Sequence, residues 1–386
     1  MKQTFLFGSL LLLTFVIAGC SKNDQPAGPG PDPDPGPGTG PAKIEHTGTT
    51  ELSTARKGLK AAAAGNKILF AGGIFSLSHP AAVDIYDVTT HTWTSSNLTV
   101  PRENHAIAAA GNKIFIGGGS AFYNGLNATA SVEVYDASTG KWSAATLSNP
   151  RRSLAAAGLQ NKVLFGGGGT LDKDGVCCVV SSRVDIYDIS TGSWSQSELS
   201  VPRDGLAAAA IGNKILFAGG EAHSNQTGGS FSSRVYIYDI STGAWSTAEL
   251  SEARTELYAA AAGNKILFAG GRNSNSASGQ SKVVDIYDVS TGKWSTATLS
   301  EDRQGTAMAA IGNKILVAGG YSDKSGKYLS SVDVYDVATG TWDKLALDVA
   351  KMDGAAAGIK NELLVGGGFT ELGGFSKTVD IFTLSN

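Results

Sequence analysis

Residues 254–294 read RTELYAAAAGNKILFAGGRNSNSASGQSKVVDIYDVSTGKW, and the same plan recurs in six other copies. Counting from Arg254, Asn264 stands ten residues on, Gly271 closes a glycine pair seventeen on, and Tyr287 and Trp294 follow seven apart. The other copies start at Arg56, Arg102, Arg151, Arg203, Arg303 and Lys351. Their second glycines are Gly73, Gly119, Gly168, Gly220, Gly320 and Gly368, each seventeen residues from its start. The tyrosine series runs Tyr86, Tyr135, Tyr187, Tyr238, Tyr287 and Tyr335, with Phe382 in the last copy. All six tryptophans, Trp93, Trp142, Trp194, Trp245, Trp294 and Trp342, fall in register. A period of roughly 50 residues denotes a repeat architecture in which no unit buries both its faces alone.

Each copy reads as four short strands: an Ala-rich one such as Ala61 to Ala64, an apolar one such as Lys67 to Ala71, the V-D-I-Y segment, and one opening at Trp. Small side chains suit strands crowded around an axis, and Tyr and Trp fill the wider outer gaps. Hairpin turns at G-N-K and S-T-G join neighbouring strands. This pattern resembles the kelch family of β-propellers, whose repeat has a leading Arg, a Gly-Gly doublet, a Tyr and a Trp at these separations. The resemblance covers nearly all of residues 44–386 and implies an all-β, seven-bladed propeller.

The ends indicate how the ring closes. The last copy stops after three strands and lacks a Trp, while Glu51 to Arg56 match Glu198 to Arg203 with no blade before them. The seventh blade is therefore expected to combine three C-terminal strands with an outer N-terminal strand near Ile44 to Leu52, which protects its open edges. Counting places Thr47 where the other copies have Trp.

Ahead of the repeats, a charged start at Lys2 and an apolar run from Phe5 to Ala18 read as a signal peptide over 1–19. The run is too short to span a bilayer. Ile17-Ala18-Gly19-Cys20 resembles a bacterial lipobox, which implies cleavage before a lipidated Cys20. Stable anchoring then follows from several acyl chains, and Ser21 implies outer-membrane sorting. Residues 20–43 form the linker, with seven of the eleven prolines between Gln25 and Pro41. The expected localisation is the bacterial cell envelope, with the membrane met only through the anchor.

Composition excludes other classes. Glycine supplies 50 residues and charged side chains only 17%, which suits a turn-rich β protein. Net charge is −3, or −4 without Lys2 of the leader (30 basic minus 34 acidic), so nothing favours nucleic acid. Five His and three Cys, none at metal-ligand spacing, point to no metal and no cofactor.

Copies differ in length in one interval only, from the second Gly to Tyr or Phe382, which spans 13 to 19 residues. These loops leave the face where the basic residues begin, an arrangement suited to binding. They carry Phe75, Phe122, Tyr123, Phe231, Tyr321, Tyr328, Phe369 and Phe375, side chains able to stack on sugars or hold peptide groups, or simply to pack on blade edges. Repeat identity also fails just after the basic residues, at Asn104, His105, Arg152, Asp204, Glu256, Tyr258, Gln304 and Asp353, and just after the glycine pairs, at Glu221, Arg272, Tyr321 and Phe369. These form a candidate mixed-charge pocket, with surface drift as the competing explanation. The basic residues recur in every copy and are therefore read as structural.

The expected function is a lipid-anchored, monomeric binding module for a glycan or an envelope or extracellular protein. Some kelch-like propellers are enzymes. A copper oxidase lacks its ligands here, whereas a sugar mutarotase or isomerase needs only acid–base groups, for which His105 with Asp353 or Glu256 is a candidate. A scaffold that binds protein alone is the third reading. Cys177 and Cys178 adjoin in the longest loop, open to a vicinal disulfide, two free thiols or an intermolecular bond. Asp172 to Gly175 lacks the later Glu of a calcium loop and reads as a turn.

Overall fold

The computed structural model describes residues 42–121, 128–171, 178–222, 230–273, 279–371 and 373–385. The leader, Cys20, most of the linker, Phe122, Tyr123, Asp172 to Gly175 and Cys177 lie outside them. Among the described residues no helix is long and apolar enough to cross a membrane.

The described residues form seven four-stranded antiparallel sheets, each with strands in sequence order except the last. Blade 1 comprises Lys60–Ala64, Lys67–Ala71, Ala82–Asp87 and Thr92–Asn97. The next five blades repeat it, with innermost strands at Ala106–Ala110, Ala155–Leu159, Asp204–Ile211, Tyr258–Ala262 and Ala307–Ile311. Blade 7 joins Ala355–Ile359, Glu362–Gly366 and Thr378–Ser385 to the N-terminal strand Lys43–Glu51. The expected closure is the observed one, and it leaves no blade short of an outer strand.

One detail of that closure differs from the count. A bulge between His46 and Gly48 shifts the register, so His46 rather than Thr47 stands opposite Phe382. His46 thus occupies the place of Trp, its ring centroid 5.1 Å from that of Phe382, and its Nε2 lies 3.1 Å from Asp380 Oδ1. A bulge adds a residue to one strand, which a count along the sequence cannot detect.

The core lies between blades. Phe70, Phe115, Phe165, Phe217 and Phe268 project from second strands and are fully buried, each contributing about 1.5–3 kcal/mol by burial. Phe268, for example, packs with Ala207, Leu216 and Val235 of the preceding blade. Seven such clusters close the circle, the last two through Ile44 and Leu52 of the N-terminal segment. Within six of them, each Tyr meets its Trp with centroids 4.9–5.0 Å apart.

Six of the seven basic residues are structural, as their recurrence suggests. Arg56, Arg102, Arg151, Arg254, Arg303 and Lys351 are buried and ion-paired to Asp84, Glu133, Asp185, Asp285, Asp333 and Asp380. The glycine doublets let neighbouring backbones approach. At Gly73, with φ +97°, a Cβ would lie 2.5 Å from the Lys57 carbonyl oxygen.

Candidate functional site

Two residues past each basic residue the backbone is left-handed in all seven blades: Gly58, Asn104, Ser153, Gly205, Glu256, Gly305 and Asp353, with φ between +52° and +66°. These positions link into most of a ring. The Ser153 N–H donates to Asn104 (2.8 Å), Gly205 to Ser153 (3.1 Å), Glu256 to Gly205 (3.0 Å), Asp353 to Gly305 (2.7 Å) and Gly58 to Asp353 (2.8 Å). Three blades use glycine, the unstrained choice. Four use side chains instead, at a cost of order 1 kcal/mol or more each, greatest for those without the local hydrogen bonding that Asn uses there.

The ring surrounds a cavity of about 750 Å³ to which every blade contributes. Of the residues expected at the site, Asn104, His105, Arg152, Asp204, Glu221, Glu256, Tyr258 and Asp353 line it, together with Gln304. Arg272, Tyr321 and Phe369 stand just outside. Each follows a glycine pair and bridges to the residue after the basic one, namely Thr255, Gln304 and Met352. Tyr123 lies outside the described residues.

Glu103, Asp204, Glu221, Glu256 and Asp353 line the cavity together with the bases Lys57, Lys60 and Arg152. Glu256 is open to the cavity yet ringed by protein. Burial raises the pKa of its carboxyl, Asp353, Glu221 and Asp204 add to the rise, and Arg272 opposes it. Lys57 Nζ lies 3.4 Å from Asp353 Oδ2 and 5.3 Å from the Phe369 ring centroid. Arg272 stands 5.7 Å from the centre of the Phe231 ring.

Deeper in, Lys60 and Tyr258 occupy a position where the five other blades have Ala106, Ala155, Ala207, Ala307 and Ala355. Burial lowers the Lys60 ammonium pKa, with Asp353 and Glu256 working against the shift. Burial raises the Tyr258 phenol, and the same two carboxylates reinforce it. Lys60 and the cavity residues Lys57 and Glu103 escaped the sequence reading. Comparing copies at the fourth position past the basic residue would have found Lys60, because only it and Tyr258 break a run of alanines.

His105 departs from its expected chemical role. It is buried, only 1% exposed, and sits against Gly72 and Gly119. Burial, then Arg102 and Lys60, push its imidazole well below the ordinary value. An Ala71 backbone group opposes this without reaching hydrogen-bond geometry at either ring nitrogen. The ring is a neutral wall group, and it forms no ion pair with Asp353 or Glu256.

Five loop aromatics pack on one another across blades 6, 7 and 1. Centroid separations are 5.3 Å for Tyr321–Tyr328, 6.3 Å for Tyr328–Phe369, 5.2 Å for Phe369–Phe375 and 5.2 Å for Phe75–Phe375. The rings are tilted or edge-on, so they cover one another's faces and hold the loops together. Phe75, 44% exposed, is the open end of the row.

Among the described residues no three His, Cys, Asp or Glu side chains are grouped to hold a metal. Cys178 begins the strand Cys178–Val180, but its pairing with Cys177 falls outside the described residues.

The chain matches the family model for the KLHDC2/KLHL20/DRC7 Kelch-repeats domain over residues 42–220, 153–345 and 205–386. No curated protein matches it. It is similar to the solved structure of YjhT at 20% identity and a TM-score of 0.57, over 75% of this chain and 98% of that one. At that identity the likeness concerns the fold alone.

Proposed function

Because the chain belongs to the kelch-repeat family, we propose that it is a non-enzymatic recognition module that binds a glycan in this cavity. The observation that carries this reading is the use of Asn104, Ser153, Glu256 and Asp353 at left-handed positions that three blades fill with glycine. Structure alone favours glycine there, so polar side chains held against that preference support a role in binding. The cavity volume is in the range of small-ligand sites, roughly 300–1,000 Å³. Carboxylates beside Lys57, Lys60 and Arg152 suit a ligand that both donates and accepts hydrogen bonds at many points, as sugar hydroxyls do.

The lipobox-like Cys20 and the Pro/Gly-rich linker support attachment to the envelope, with the ring held away from the lipid as a monomeric unit. An array of envelope and extracellular glycans, probed with the ring, tests the reading. Binding is expected, and Glu256→Gln and Asp353→Asn should each weaken it at least tenfold. No glycan signal, together with recovery of one stoichiometric envelope protein, would replace the glycan by a protein partner.

One observation favours a second reading, a sugar mutarotase or isomerase. Glu256 combines a raised carboxyl pKa with a carboxylate and a guanidinium nearby, which suits proton transfer at a sugar's anomeric centre. NMR of anomer interconversion decides: rates equal with and without the protein eliminate the enzyme.

A further inference from the structure

In six blades a single acidic side chain has two tasks. It pairs with the buried basic residue, and it accepts the backbone N–H three residues before that residue. In blade 6, Arg303 Nη2 lies 2.9 Å from Asp333 Oδ2, and the Ser300 N–H donates to the same oxygen at 3.2 Å. Asp84 serves Arg56 and the Ser53 N–H, and Glu133 serves Arg102 and the Thr99 N–H. Asp185, Asp285 and Asp380 do the same for Ser148, Ser251 and Asp348.

Blade 4 keeps the base and lacks the acid. Tyr236 stands in register with the acids, opposite Phe217 and Thr247 as Asp285 stands opposite Phe268 and Thr296. Donors at one junction are consequently left without an acid. Arg203 makes no side-chain hydrogen bond or ion pair with the described residues, and its Nε and Nη1 are both closed off from solvent. Among the described residues the Ser200 N–H meets no carboxylate, and the Tyr236 hydroxyl reaches only the Val201 carbonyl, at 3.5 Å. Enclosed guanidinium nitrogens without an acceptor are costly, and orphaned polar groups in native folds commonly belong to a site for water or an ion. Arg203 is also less buried than its six counterparts, so a small ion can reach it.

We propose that blade 4 binds a carboxylate-sized oxyanion at Arg203, in place of the Asp or Glu of the other blades, with Ser200 N–H and Tyr236 O–H completing the donor set. The site lies at the junction with blade 3, where the Arg203 N–H donates to Ser181 (3.2 Å) and its carbonyl accepts from Gly168 (2.8 Å). It is separate from the cavity and independent of the ligand proposed there.

Thermal unfolding in sodium formate, with sodium chloride keeping ionic strength constant, tests the site. Wild-type protein is expected to gain about 2 °C saturably between 1 and 100 mM formate. Arg203→Met should show no saturable gain, having lost the cation. Tyr236→Asp should show none either, because it supplies an internal carboxylate, and it keeps the test open if the methionine variant does not fold. Equal formate responses in wild type and a folded variant, or no response in wild type, would overturn the proposal.

Discussion

Glu256 and Asp353 adopt φ values of +53° and +55°, where Gly58, Gly205 and Gly305 sit at the equivalent points of other blades. Replacing Glu256 by glycine should therefore leave stability unchanged or raise it by up to about 1 kcal/mol, since relief of the left-handed strain outweighs or balances the added freedom of the unfolded chain. Ligand binding should fall at the same time. Chemical denaturation paired with a binding titration checks both, and a marked loss of stability would assign Glu256 a structural role. Its pH behaviour follows from the raised pKa. A carboxyl that holds its proton more tightly in the folded state costs stability as pH climbs from its ordinary value near 4.5 to the raised one. Glu256→Gln should flatten the melting temperature across that window. The sequence disclosed these residues as breaks in the repeat, but their left-handed backbone was visible only as glycine in three of seven copies.

Within a blade, the acid on the third strand ties the start of the first strand to the middle of the sheet. Asp333→Ala should destabilise the protein by about 3–5 kcal/mol, because it leaves the fully buried Arg303 without its charge partner. Adding Arg303→Met should recover much of that loss by replacing an unpaired ion with an apolar side chain. Urea unfolding of both variants measures the difference. If the double variant were no more stable than the single one, the cost would lie in the Ser300 cap and the Arg303 bonds to backbone carbonyls instead. The repeat marks every basic residue as structural, and six are. Arg203 shares their register but not their partner, and the single letter Tyr236 in place of Asp was the only trace of that in the sequence.

Across the whole molecule, closure depends on nine residues at the other end of the chain. Lys43–Glu51 pairs along Thr378–Ser385, and Ile44 and Leu52 complete the cores on either side of blade 7. Removing residues 42–52 should lower the melting temperature sharply and produce larger species on size exclusion, because the third strand of blade 7 becomes an exposed edge. An unchanged elution volume and melting temperature would mean that three strands suffice to close the ring.

Sequence by itself determined the blade number, the four strands of each blade, the closing partner and the face that carries the variable loops, because these are periodic and a repeat multiplies each weak local signal sevenfold. Tertiary structure alone decided the rest. It moved the Trp-equivalent place to His46 through a bulge, and it walled in His105 as a neutral side chain. It also gathered Lys57, Lys60 and Glu103 into the cavity and left Arg203 without an acid. The physical reason is that pattern fixes which strands pair, whereas burial, charge and backbone strain at a point depend on neighbours on other strands and other blades, where a period carries no information about the exceptions.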